Sequence, residues 1–464
     1  MIEENNQSND STFRDSISTV DGMGKRIWLF PKKPKGRFYL KRKIVGWILL
    51  LILFGVPFIK IDGSPIFLFQ VIKREFILFG IHFWPQDSYL FAIGMLSILV
   101  GIVLFTAIYG RFWCGWTCPQ TVFLEILFRP IEYIIDGDRT AQIKLKKSPW
   151  NFEKIGKRIL KNAIFILLSM AIANALLAWF IGIDELFQII KDPIDQHSGG
   201  FIAMLAFSGI LFFIYSWFRE QVCSILCPYG RLQGVLLDKN SIIVSYDYKR
   251  GEPRGKNENV KNGDCIDCKS CVEVCPTGID IRNGTQLECI NCTACIDACD
   301  AVMDKVKKPR GLIRYASEKN IAEGSAFSLT PRIIAYTGLL IALIIFLFSL
   351  LYGRSNIEAT ILRTPGLLYQ EQPNNEISNL YNIKLINKSV ENKSLKLKVL
   401  NFDGRIQLLN GDITMAKSSF YQDVFFLFIN RDSLSNRNNT IKIGLTENDE
   451  LIETFSISFI GDKP

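Results

Sequence analysis

Five apolar stretches, each near the length of a bilayer crossing, constrain this chain more than any other feature. A hydrocarbon core about 30 Å thick needs roughly 20 apolar residues in helical form. The stretches run approximately from Ile44 to Ile59, Tyr89 to Tyr109, Leu160 to Gly182, Phe201 to Trp217, and Arg332 to Tyr352. Bulk composition hides them. Over 464 residues 48% are hydrophobic and 21% charged, near a soluble average, and mean hydropathy is only +0.19. The first and fourth stretches are short by this measure. The fifth starts clearly, with Thr330 as N-cap and Pro331 at the first helical position. Forty-three residues precede the first stretch, which ends in GVPFIK rather than a small-x-small cleavage pattern. It reads as a retained anchor, not a signal peptide.

The net charge of +9 is distributed by loop. Ten Lys and Arg lie between Arg14 and Lys43, and ten more between Arg111 and Lys161. The loop from Lys60 to Ser88 has only Lys60, Lys73 and Arg74, and that from Asp184 to Gly200 only Lys191. The positive-inside rule then predicts a cytoplasmic N-terminus, a cytoplasmic second loop, a cytoplasmic stretch after the fourth span, and a C-terminal tail on the other side. This alternation accounts for the charge without nucleic acid, for which no motif exists.

The ends of spans two and four repeat a pattern. One reads Arg111-Phe-Trp-Cys114-Gly-Trp-Thr-Cys118-Pro119, the other Glu220-Gln-Val-Cys223-Ser-Ile-Leu-Cys227-Pro228. Spans one–two and three–four thus resemble two copies of a hairpin, with a C-x3-C-P pair at the same place. Two parallel copies could gather the four thiols near a pseudo-two-fold axis. If the helix continues through each motif, Cys114 and Cys118 share one face, as do Cys223 and Cys227. Such pairs could hold Cu(I), form part of a metal cluster, or switch between dithiol and disulfide. A lone pair would be read as small, inert residues; its recurrence with the trailing proline favours a functional thiol site.

The most specific spacing lies between Asp264 and Asp300. Cys265-x2-Cys268-x2-Cys271-x3-Cys275-Pro276 is followed by Cys289-x2-Cys292-x2-Cys295-x3-Cys299. This is two-cluster ferredoxin spacing, in which the fourth cysteine of each run serves the other cluster. Cys265, Cys268, Cys271 and Cys299 are therefore expected around one [4Fe–4S] cluster, and Cys289, Cys292, Cys295 and Cys275 around the second. Structural zinc, the alternative, normally uses ligand pairs across a longer spacer. Asp300 stands where the first run has Pro276, which loosens a turn but removes no ligand. Seven acidic residues against Lys269 and Arg282 make this module acidic. That excess could steer a basic partner, although a solvated surface is the ordinary explanation. The basic flanks, Lys249, Arg250, Arg254, Lys256 and Lys261 before and Lys305, Lys307, Lys308 and Arg310 after, could lie against anionic headgroups.

From about Asn356 to Pro464 short alternating segments, such as Leu395-Lys-Leu-Lys-Val-Leu and Phe455-Ser-Ile-Ser-Phe-Ile, predict an all-β sandwich without cysteine. The two histidines, His82 and His197, fall in predicted external loops and are ordinary polar residues more often than haem or copper ligands. Met95, Met170 and Met204 read as packing residues. No Gly-rich dinucleotide fingerprint or P-loop is present, so electrons should come from a separate donor.

Together these residues resemble the cytochrome c oxidase accessory family CcoG, also called FixG or RdxA. The resemblance is carried most specifically by Cys275-Pro-Thr-Gly-Ile-Asp-Ile-Arg-Asn-Gly-Thr-Gln-Leu-Glu-Cys289 and Cys295-Ile-Asp-Ala-Cys-Asp-Ala-Val-Met303. It implies an α-helical membrane protein with five transmembrane helices, a bacterial-type 2[4Fe–4S] ferredoxin-like module and a C-terminal immunoglobulin-like β-sandwich. The expected division is a basic segment 1–43, a four-helix membrane domain 44–230, a ferredoxin-like domain 231–330, a fifth helix 331–353 and a sandwich 354–464. The family resemblance further implies a bacterial inner (plasma) membrane location, with clusters cytoplasmic and sandwich periplasmic. It also implies that Cys114, Cys118, Cys223 and Cys227 bind copper and reduce Cu(II) to Cu(I) for a cbb3-type oxidase, with the clusters supplying electrons. Expected partners are the lipid bilayer, an unidentified electron donor, and oxidase assembly factors or copper-handling proteins. Two other readings stand beside it: an electron-transfer subunit of a quinol-oxidising chain, and a redox-sensing assembly scaffold.

Overall fold

The computed structural model describes residues 19–20, 23, 25–61, 63–70, 75–79, 81–193, 195, 197–255, 263–324, 330–355, 357–366, 368–389, 391–417, 419–447 and 450–462. It divides into two compact units, Met1–Gln70 with Tyr89–Leu347, and Val71–Ser88 with Phe348–Pro464.

Among the described residues four helices are long and apolar enough to cross a membrane: Ser88–Tyr109, Phe152–Ile181, Ser198–Phe218 and Pro331–Tyr352. This is a multi-pass membrane protein. Helix Pro331–Tyr352 buries only Ile333, and an apolar helix exposed on nearly all sides needs lipid to cover it. Its start is as expected, with Thr330 Oγ1 accepting the N–H of Ile333 at 3.3 Å. Helix Phe152–Ile181 begins about two turns before Leu160, within the basic loop, where Asn151 caps it by accepting from Lys154 N. It ends at Gly182, whose φ of 86° disfavours a side chain.

The first apolar stretch differs from the other four. Its helix, Arg37–Gly55, begins among Arg37, Lys41, Arg42 and Lys43 and stops before Pro57. About twelve apolar residues remain, short of a full crossing. Trp47 and Leu51 are nonetheless exposed on it. Its N-terminus is held by Asp297, whose carboxylate oxygens accept from Phe38 N at 3.1 Å and Tyr39 N at 2.8 Å. Gly36 makes that approach possible, because a Cβ there would sit 2.3 Å from the Asp297 carboxyl carbon.

The helices pack through aromatic contacts. Phe128 meets Phe165 edge-on at 4.8 Å and stacks on Tyr215 at 4.6 Å. Both contacts lie within a core shared by Leu50, Phe123, Ile172 and Leu211. In the cysteine-rich region two short strands, Ile243–Tyr246 and Ile313–Ala316, pair antiparallel. They carry a core formed by Val244, Ile296, Met303 and Ile313.

The second unit is a two-sheet sandwich. One sheet orders Gly404–Leu408, Phe420–Asn430, Glu376–Asn387 and Ile357–Arg363, with Gln370–Gln372 also on the third. The other orders Ile413–Met415, Lys393–Val399, Asn438–Glu447 and Glu450–Ile460. Alternation puts Ile383, Phe425, Leu427, Ile441 and Phe459 inside with no exposure. Tyr381 stacks on Phe425, and its hydroxyl donates to the Ser458 carbonyl at 2.8 Å. The unit also takes in residues before the second span. Asp87, buried, accepts from Lys388 Nζ at 2.7 Å and from Arg354 Nη2 at 2.8 Å. That the loop from Lys60 to Ser88 is split in this way was not anticipated from sequence.

Candidate functional site: two thiol-lined hollows and a pair of thiol turns

The two cysteine runs fold as copies of one loop. In the first, Asp267 and Lys269 flank Cys268 with φ of 51° and 55°; in the second, Asn291 and Thr293 flank Cys292 with φ of 52° and 64°. Asp and Asn tolerate this left-handed region, whereas a buried β-branched Thr does not adopt it without strain. The strain recurs at equivalent positions, just where each chain must curl around its thiols. Lys269 then starts helix Ser270–Glu273 and Thr293 starts helix Ala294–Lys305.

Each loop borders a hollow. Cys265, Cys268, Cys271 and Cys299 line one, with Tyr246, Met303, Leu312 and Ile313. Cys275, Cys289, Cys292 and Cys295 line the other, with Ile279, Ile281 and Ile290. Cys271 borders both. The fourth thiol of each run faces the hollow of the other. Neither lining contains a carboxylate or imidazole. Among the described residues no three Cys, His, Asp or Glu side chains converge tightly enough for a single metal ion. Thiols spread around an apolar hollow fit a [4Fe–4S] cube better than zinc. Burial pushes the thiols of Cys271, Cys289 and Cys299 up to about 12. They ligate as thiolates only when a metal's charge replaces their protons.

The acidic excess of this region is largely used internally. Arg282 bonds Asp267 and Asp280, and Asp264 pairs with Arg250 and Lys308. Asp297 caps the first helix, and Asp300 Oδ1 accepts from Gly311 N at 2.9 Å. Arg250 and Lys308 are thus engaged with the module rather than free for headgroups; Lys256 and Lys261 lie outside the described residues.

The C-x3-C-P motifs are not continuous helix. Each span stops at one left-handed residue, Gly110 with φ 55° and Arg219 with φ 51°. A short turn follows, Phe112–Trp116 in one case and Val222–Leu226 in the other. Cys118 and Cys227 are extended, with ψ of 126° and 109°, and begin helices Pro119–Val122 and Pro228–Leu236. The proline itself is the cause, since the residue before proline is disfavoured in the α region. The expectation of two thiols on one helical face is corrected accordingly.

The two thiol turns nevertheless lie within electrostatic reach of each other. Charge on Cys118 and Cys227 acts on Cys114, and charge on Cys118, Cys114 and Cys227 acts on Cys223. Burial foremost, and then these neighbours, push Cys114 and Cys223 up to about 12. Cys114 Sγ lies 3.2 Å from Gln233 Oε1. Cys114 and Cys223 also join an apolar cluster with Val274, Ile290, Cys292 and Cys295. The thiol turns therefore pack against the loop of the second hollow.

Gly115 brings this about. A Cβ there would lie 2.5 Å from the Ile290 carbonyl oxygen and 2.8 Å from the Asn291 carbonyl, backbone atoms that cannot step aside. Buried Arg42 donates from Nε to the Gly115 carbonyl at 2.9 Å. Arg111 donates to the carbonyls of Leu287 and Gly230.

On the other side stands an ion cluster that sequence reading missed. Arg219 makes a bidentate bond to Glu132 at 2.7 and 2.8 Å. Lys161 pairs with Asp136 at 2.5 Å and Glu132 at 3.6 Å. Arg129 pairs with Glu125 at 2.9 Å and Glu220 at 3.6 Å, and donates to the Pro276 carbonyl at 3.3 Å. Arg26 reaches Glu220 at 3.3 Å. Burial opposes the charge on Glu132, yet Arg219 and Lys161 hold it below the ordinary carboxylate range. The available signal was three charges, Glu125, Arg129 and Glu132, set in an otherwise apolar run. His197 pairs with Asp192 at 3.2 Å; the side chain of His82 lies outside the described residues.

Comparison with known proteins agrees with this anatomy. Residues 218–318 match the family model of a 4Fe-4S dicluster domain. Residues 91–138 and 334–355 match a 4Fe-4S binding domain, and residues 347–462 an IG-like fold at the C-terminal of FixG. Nitrogen fixation protein FixG of Rhizobium meliloti is 32% identical over 438 residues, covering 84% of this chain and 82% of that protein. Protein RdxB of Cereibacter sphaeroides is 37% identical over 401 residues, covering 81% and 82%. Protein RdxA of the same organism is 35% identical over 396 residues with the same coverage. A crystal structure of a FixG-related protein from Vibrio parahaemolyticus is similar over 24% of this chain and 99% of its own, at 22% identity and a TM-score of 0.20.

Proposed function

Because the chain belongs to the FixG/RdxA family, we propose that it is a membrane-anchored electron-transfer protein that reduces Cu(II) to Cu(I) at its four-thiol turn site. Cys265, Cys268, Cys271 and Cys299 hold one [4Fe–4S] cluster, and Cys275, Cys289, Cys292 and Cys295 the other. When bound, these groups supply electrons singly at low potential. The observation that supports the reading is the apolar cluster that holds Cys114 and Cys223 together with Cys292 and Cys295. This packing supports a short route between the thiol turns and the loop of the second hollow.

The chain's own part is positional. The proline-terminated turns present two thiols each, and apolar packing around Cys114 and Cys223 excludes water. Thiols with raised pKa are neutral until a cation displaces their protons, and the thiolates so formed favour soft Cu(I) over Cu(II). Each Cu(II) takes one electron, and the product leaves for an oxidase copper centre with assembly or copper-handling proteins as recipients. The distribution of Lys and Arg supports clusters on the cytoplasmic side of a bacterial plasma membrane and the sandwich on the periplasmic side.

The test compares the parent with Cys114→Ser/Cys118→Ser and Cys223→Ser/Cys227→Ser variants, each given reductant and Cu(II). Cu(I) is followed with a chelating dye. Both variants are expected to lose most of the rate while keeping about eight irons per chain. Equal rates in all three would overturn the thiol assignment.

A further inference from the structure

Buried arginines stand near both hollows, and they are not neutralised alike. Arg42 and Arg111 are each 5% exposed and Arg282 is 8% exposed. Arg282, on the wall of the first hollow, bonds two carboxylates, Asp267 at 2.5 Å and Asp280 at 2.6 Å. Arg42 and Arg111 bond backbone carbonyls instead. Arg42 Nε donates to Gly115 at 2.9 Å, and Arg111 donates to Leu287, Gly230 and, at 3.5 Å, Cys289. Among the described residues neither guanidinium has a carboxylate within ion-pairing distance.

A buried cation with no acid beside it is costly unless other negative charge answers it. The groups within its reach here are thiols. Burial foremost raises Cys289 and Cys292, while Arg111 draws the first back and Arg42 the second. Burial likewise leads at Cys114 and Cys223, and Arg111 opposes it at both. Glu125 works against Arg42 at Cys292, but Glu125 is itself paired with Arg129 at 2.9 Å. At Cys271 of the first hollow burial again leads, and there Arg282 and Asp280 act in opposite directions. The second hollow therefore has two uncompensated cations near it, and the first a cation answered by two acids.

An added electron is added negative charge, and net charge is one of the quantities that sets a cluster's potential. We propose that Arg42 and Arg111 hold the second cluster at a higher potential than the first, so that electrons run from the first hollow to the second and toward the thiol turns. The transfer balances, since one cluster loses the electron that the other gains. Both arginines are positioning residues that act through their charge. Exposure follows the same order: Cys268 of the first hollow is exposed and its counterpart Cys292 is buried, in the apolar cluster that also holds Cys114 and Cys223. This ordering rests on the two-cluster reading above, not on copper as the final acceptor.

The experiment is a potentiometric titration of the full-length, iron-loaded chain in detergent, reduced stepwise with dithionite and followed by electron paramagnetic resonance. The parent is expected to show two one-electron midpoints. Arg111→Gln and Arg42→Gln keep a donor for the carbonyls but lose the charge. Each should lower the higher midpoint about tenfold in the reduction equilibrium, about 59 mV for one electron, with about eight irons per chain retained. Arg111→Lys, which keeps the charge, should titrate near the parent. Asp267→Asn leaves Arg282 less compensated, and Asn tolerates the left-handed backbone at that position; it should raise the lower midpoint alone. The inference is overturned if the glutamine variants at full iron move neither midpoint or only the lower one, or if Arg111→Lys behaves as Arg111→Gln. Should both glutamine variants lose iron, Asp267→Asn decides, and an unmoved lower midpoint overturns the ordering. A single midpoint in the parent, or about four irons, overturns the cluster reading and the ordering with it. Cu(I) formation is assayed separately on the same parent: two midpoints that respond as expected without Cu(I) formation remove the copper reading and leave the ordering standing.

Discussion

The two C-x3-C-P turns share a motif and a backbone path but are held by different forces. The first is seated by close packing: Gly115 lies on the Ile290–Asn291 backbone, with Arg42 and Arg111 bonding carbonyls around it. The second follows Arg219 and Glu220, which stand in a buried cluster of acids and bases. Even the break preceding each turn differs, a glycine in one and in the other an arginine in a left-handed conformation that L-residues resist. A repeated motif therefore specifies where thiols go, while the means of holding them there diverges between copies.

The largest effect expected from this difference is electrostatic. Glu132→Gln leaves Arg219 and Lys161 buried beside a neutral amide, a change of about 3–5 kcal/mol when one partner of a buried pair is removed. Thermal melting should shift strongly downward. Alkylation mapped by mass spectrometry should rise at Cys223 and Cys227 before it rises at Cys114. Equal exposure of all four thiols would mean that the ion cluster supports both turns alike.

Next in size is the steric counterpart. Gly115→Ala forces a Cβ into backbone atoms at 2.5 Å, which typically costs about 1–3 kcal/mol. Because that backbone belongs to the second cysteine loop, iron should fall from about eight toward about four per chain, and Cys114 should become more reactive than Cys223. Full iron with normal Cys114 reactivity would remove Gly115 from its assigned place.

A smaller effect is expected at Gly110, whose φ is 55° and whose Cβ would meet the Ile243 side chain. Gly110→Ala should cost about 1–2 kcal/mol from the left-handed backbone alone, since Ile243 can shift. Replacing Arg219 by Gly would relieve similar strain but also break its ion pairs. Melting temperatures of the two variants should therefore move by unequal amounts, with Arg219→Gly the lower.

How much of this was legible follows from the range of the interactions. Cysteine spacing is local, so the dicluster module was readable in advance. Apolar length and strand alternation are local too, hence four of the spans and the sandwich. The end of each helix before Pro119 and Pro228 was written in the residue type, and a reading of uninterrupted helix passed over it. The ion cluster joins Arg26, Glu132, Lys161 and Arg219, residues that no short window brings together. Asp87 is bound by Lys388, 301 positions away, and sequence pattern carries no trace of such a contact. Gly115 looked like any glycine until the Ile290 carbonyl was found against it.

The smallest predicted effect concerns what the two turns have in common. Burial raises Cys114 and Cys223 alike to about 12, from an ordinary thiol value of about 8.5. Raised in the folded state, these groups favour folding fully below the ordinary value, and that contribution is lost as pH climbs toward 12. In copper-free protein the thiolate is the reactive form. Alkylation of both cysteines should thus be slow at pH 7 and rise about tenfold per pH unit up to pH 9 without levelling. A plateau at pH 9 for one cysteine alone would show that its turn stands open to water, and the different anchors of the two turns would then reach the chemistry of the thiols themselves.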